Sequence, residues 1–60
     1  MIFSKEISSL MGILGKLKTS IDSLGRTVFS RKKDVIQNLN MAVMYLNKAI
    51  EALREEWYDG

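Results

Sequence analysis

Glu51 and Glu55 stand one helical turn apart, the spacing at which two carboxylates could share acid–base work. Nothing else in the chain completes such a site. There is no histidine and no cysteine. No imidazole can move a proton near neutral pH, no thiolate can attack or ligate, and no disulfide can form. The seven acidic residues could hold only a hard, oxygen-preferring cation, and they do not alternate with Asn and Gly as a calcium loop requires. Two glutamates on a polar helix face are ordinarily solvated. The expectation is a protein that is not an enzyme and carries no catalytic residue, cofactor or metal.

Three other groups of residues could make contacts without doing chemistry. Arg26, Arg31, Lys32 and Lys33 place four cations in eight residues. Such a cluster could hold a phosphate backbone, an anionic lipid surface or the acidic end of a neighbouring subunit. Met41, Met44 and Tyr45 are spaced to meet on one helix face, and methionine-rich patches suit adaptable protein contacts. Either they form a partner surface, or the helix that carries them is more central and buries them. Ser4, Ser8, Gly12, Gly15 and Thr19 form a stripe of small residues that would let another helix approach closely.

The elements that position these groups are written in two apolar ladders. The first runs Phe3, Ile7, Leu10, Leu14, Leu17, Ile21, Leu24, Val28, in alternating steps of four and three. The second runs Phe29, Ile36, Leu39, Val43, Leu46, Ile50, Leu53, Trp57, and is interrupted at Lys32. Each ladder is the seam of an amphipathic helix facing another helix. They are one residue out of phase, and the slip falls between Val28 and Phe29. Gly25 suits the left-handed position that ends a helix, Arg26 could bond the last carbonyls, and Thr27 or Ser30 could cap the next helix. The pattern predicts one domain over 1–60: helix 1 at about 3–24, a connection at about 25–30 and helix 2 at about 31–58. A single long helix with one skip residue is the alternative, since no proline forbids it.

The expected fold is all-α, a two-helix antiparallel hairpin paired into a homodimeric four-helix bundle. Sixty residues without disulfide or metal need some other source of stability, and a partner subunit is the natural one. With Ile36 at heptad position a, Val35, Ala42 and Ala49 fall at g and widen the apolar face of helix 2. Met11 and Ile13 widen that of helix 1. The self-association core is therefore expected at Ile7, Leu10, Leu14, Leu17, Ile21 and Leu24, and at Ile36, Leu39, Val43, Leu46, Ile50, Leu53 and Trp57. Helix 2 has basic residues in its first turn and Glu55, Glu56 and Asp59 in its last, both unfavourable to the helix dipole. Hairpins stacked antiparallel would bring the two ends together. In length and layout this plan is similar to the plasmid copy-control hairpins that bind RNA, with no residue motif carried over.

Net charge is +2, a weak bias for a nucleic-acid binder. No stretch approaches the ~20 apolar residues of a membrane span, and the N-terminal segment is too short in apolar run for a signal core. The expected location is cytoplasmic. The expected function is a self-associating scaffold, adaptor or regulator that contacts another protein. A nucleic-acid-binding hairpin dimer using the basic tip is the first alternative. A basic amphipathic helix over residues 2–17 lying on a membrane is the second.

Overall fold

The computed structural model describes residues 3–56 as two helices, α1 (Ser4–Gly25) and α2 (Lys32–Glu56), packed against each other as an antiparallel hairpin. The long-helix alternative is thereby excluded. Both ends of α1 and the start of α2 fall within one residue of those expected from the ladders; the expected end of helix 2, at about 58, lies outside the described residues. Trp57 and Asp59 lie outside the described residues.

Along the seam, Ile7, Leu14 and Ile50 are buried, and Leu10, Val43, Leu46 and Leu53 pack around them half-buried. All three buried residues sit in the half of the hairpin nearer the chain ends. Ile21 and Ile36, toward the turn, are only half-buried. The molecule measures 49 × 16 × 10 Å, so it is a layer one helix thick. Its radius of gyration of 14.4 Å exceeds the ~10 Å of a compact domain of this size.

The turn differs from its sequence expectation in three respects. Gly25 is helical, and no described glycine has a positive φ. The C-cap is Arg26, with φ −94° and ψ 0°. A left-handed glycine is not needed, because other groups satisfy the last carbonyls of α1. The Arg26 N–H donates to the Ser23 carbonyl (3.2 Å) and the Thr27 N–H to the Leu24 carbonyl (3.0 Å), tightening the final turn. The Thr27 hydroxyl also donates to the Ser23 carbonyl, at 3.1 Å. Thr27 thus closes α1 and does not cap α2. Val28, the last rung of the first ladder, is 95% exposed, because the helix that would have aimed it at the seam has already ended.

Candidate interaction surfaces

The basic tip is built by the turn, and most of its cations are engaged within the chain. Lys32 Nζ donates to the Gly25 carbonyl at 2.7 Å. This lysine occupies the seam position where the heptad wants an apolar residue, and its stem lies half-buried there. Its ammonium sits at the negative end of the α1 dipole, a favourable place for a cation. Arg26 pairs with Asp22 one turn back in α1, and Arg31 pairs with Asp34 at 3.4 Å. Both pairs are solvent-exposed and each contributes little to stability. Their electrostatic effect is larger: the two carboxylates halve the net charge of the tip to +2. Lys33 forms no hydrogen bond or ion pair among the described residues.

The same arrangement revises the charge mismatch expected of α2. Asp34 lies in its first turn and Arg54 in its last. Each end therefore carries a charge of the favourable sign beside the unfavourable ones, and compensation is partly local. Asp22, Asp34 and Arg54 were all visible in the sequence, but the short window 26–33 and the cluster 55–59 hid their proximity.

Met41, Met44 and Tyr45 are 44%, 55% and 63% exposed, so the hairpin's own core does not bury them. Lys48 Nζ lies 5.8 Å from the centroid of the Tyr45 ring, within cation–π range. Met41 also borders an open groove of about 700 Å³ beside Lys32, Lys33, Ile36, Gln37 and Asn40. One helix alone lines it, so it is a furrow between side chains and encloses nothing. A second furrow, about 570 Å³, lies between the helices near the chain ends, bordered by Phe3, Lys5, Glu6, Ser9, Leu10 and Leu53. The small-residue stripe on α1 is open: a Cβ added at Gly12 or Gly15 would meet nothing within 4 Å.

Glu51 and Glu55 are both exposed on α2, and neither side chain forms a hydrogen bond or ion pair among the described residues. No group of three or more acidic side chains among the described residues could hold a metal ion. No described helix is long and apolar enough to cross a membrane.

One contact went unanticipated by the sequence pattern. The Arg54 guanidinium lies 3.3 Å from the Met11 sulfur, joining the helices across one edge of the seam. Its spacing of forty-three residues has no local signal; only the antiparallel register brings the two together. Against this fold and these surfaces, no family model, no curated protein and no solved structure matches the chain.

Proposed function

We propose that this chain is a small non-enzymatic scaffold or adaptor whose hairpins pair into a homodimeric four-helix bundle, leaving the outer face of α2 to contact another protein. One observation carries the reading. Of the twelve seam residues within the described segment, only Ile7, Leu14 and Ile50 are buried once the hairpin has formed. The rest are half-buried. Fully burying a leucine or isoleucine contributes about 1.5–3 kcal/mol, so the part of each of these nine side chains that stays in water leaves some apolar stabilisation unused. A second layer of helices would use it.

The Met41, Met44, Tyr45 patch supports the adaptor half of the proposal. It is apolar, exposed and lies away from the seam. The nucleic-acid alternative has less support. Counterion release scales with the number of phosphates neutralised, and the tip has a net charge of only +2 with Lys32 already bonded to Gly25.

Sedimentation equilibrium at micromolar concentration tests the scaffold. A dimer is expected, and a stable folded monomer would overturn it. Replacing Met41, Met44 and Tyr45 together with Gln should leave that dimer and its helicity intact while abolishing capture of any partner protein. Unfolding of the triple variant would make the patch core and remove it as a partner surface.

A further inference from the structure

The two broad faces of the hairpin are chemically unlike, and this identifies the one that pairs. In the heptads, Ile7, Leu14 and Ile50 are all a residues, and they are the buried ones. At these three positions a points most directly at the opposite helix, while the a residues Ile21, Ile36 and Val43 are half-buried like the d residues. The d residues, Leu10, Leu17 and Leu24 on α1 with Leu39, Leu46 and Leu53 on α2, are all half-buried. In an antiparallel pair the e positions of both helices edge one face, and the d and g positions edge the other.

The contacts follow this division. Met11 and Arg54, which touch at 3.3 Å, are both e residues. That face is otherwise edged by Lys18, Lys33, Asn40 and Asn47, all polar and exposed. The furrow bordered by Phe3, Glu6, Leu10 and Leu53 opens on the opposite face. That second face carries the six leucines, with Ile13, Val35, Ala42 and Ala49 beside them at g. Between Leu10 and Leu24, and between Val35 and Leu53, its d and g positions contain no charge; Ser20 is the one polar residue. Ala42 and Ala49 are exposed and small enough to admit another helix closely.

We infer that a second copy of this chain covers the leucine face, laid with its turn over the first copy's chain ends. The inference rests on the self-association proposed above and specifies its surface. The chain exposes 4828 Å², about 800 Å² more than the roughly 4,000 Å² of a compact monomer of 6.9 kDa; this excess follows from its one-layer shape, is spread over its whole surface, and is enough for an interface of ordinary size. The charges agree on orientation. At the chain-end limit of the leucine face stand the g residues Glu6 and Glu56, with Lys5 beside Glu6 on the same furrow; at its turn limit stands Lys32, bonded to the Gly25 carbonyl, with Arg31, paired to Asp34, at the neighbouring c position. Turn over chain end sets opposite charges together at both limits, whereas turn over turn sets like charges together.

Charge insertion on the two faces tests the surface. Ala49→Glu should shift the dimer to monomer, raising the dissociation constant at least a hundredfold, while Asn47→Glu should leave it within threefold of the unaltered chain. The reverse pattern, or no effect from either, would overturn the leucine face while leaving self-association standing. A monomeric unaltered chain would overturn both. Should Ala49→Glu unfold, single cysteines decide, since the chain has none of its own. Ala42→Cys should then alkylate at least tenfold more slowly than Asn40→Cys at dimer concentrations, and equal rates would overturn the face. A spin label at Ser30→Cys reads orientation. The two labels should lie about 40 Å apart across the length of the bundle. A separation under ~20 Å would overturn the turn-over-end arrangement.

Discussion

Lys32 shows how a polar residue on an apolar seam can be the fitting one. A leucine there would extend the ladder to the last residue of α1, Gly25, which offers no side chain to pack against. A lysine can lay its stem along the seam and place its ammonium on the Gly25 carbonyl, 2.7 Å away. It closes one helix from the first residue of the next. Lys32→Gln keeps much of the stem and loses the charge. It should lower stability by about 0.5–1 kcal/mol, the ordinary contribution of a cation at an exposed helix C-terminus. Urea denaturation at fixed protein concentration measures it, and the dimer should survive. No change in midpoint would mean that the bond contributes nothing. The interruption at Lys32 was plain in the sequence; its acceptor was not, because a backbone carbonyl becomes a partner only once the turn is built. The same holds for Arg54 and Met11. Charged residues at the tip were legible singly, and their pairing with Asp22 and Asp34 was legible in principle from three- and four-residue spacings.

At the scale of elements, periodicity carried nearly everything. The ladders located α1 and the start of α2 to within one residue, because burial of one helix face is a repeated constraint that many positions report at once. The turn is specified by few residues, each of which could serve in several ways. Gly25 suited a left-handed cap, yet Thr27, Arg26 and Lys32 together satisfied the same carbonyls with Gly25 still helical. Gly12 and Gly15 are different. They weaken α1 on a face where nothing approaches them, neither in the hairpin nor in the proposed dimer. Gly12→Ala and Gly15→Ala should each stabilise the protein by about 1 kcal/mol, the helix-propensity difference between the two residues. Thermal melts of the single and double variants would show it as a rise of several degrees per substitution. A destabilised double variant would place another helix against this stripe and make the glycines a packing requirement.

At the scale of the whole molecule, the hairpin is a single layer, and a single layer cannot bury both of its sides. Its e-edged face resolves the difficulty with lysine, asparagine and arginine; the leucine face does not resolve it within one chain. Folding and association should therefore be one process. The isolated hairpin, with three buried residues, has little to set against the conformational entropy of ordering more than fifty. In such a system the partner subunit acts as a ligand of the folded state, and stability depends on its concentration. A tenfold increase in protein should stabilise the dimer by about 1.4 kcal/mol, moving the melting midpoint up by several degrees. Circular dichroism melts across two decades of concentration, from about 1 to 100 µM, measure this directly. A midpoint independent of concentration, with full helicity at the lowest concentration, would show that the hairpin stands alone and that its exposed leucines await some other partner. The Ala49→Glu variant supplies the complementary observation. If the leucine face is the interface, that variant should melt with a midpoint that no longer depends on concentration, or show little helix at all, whereas Asn47→Glu should keep the dependence of the unaltered chain.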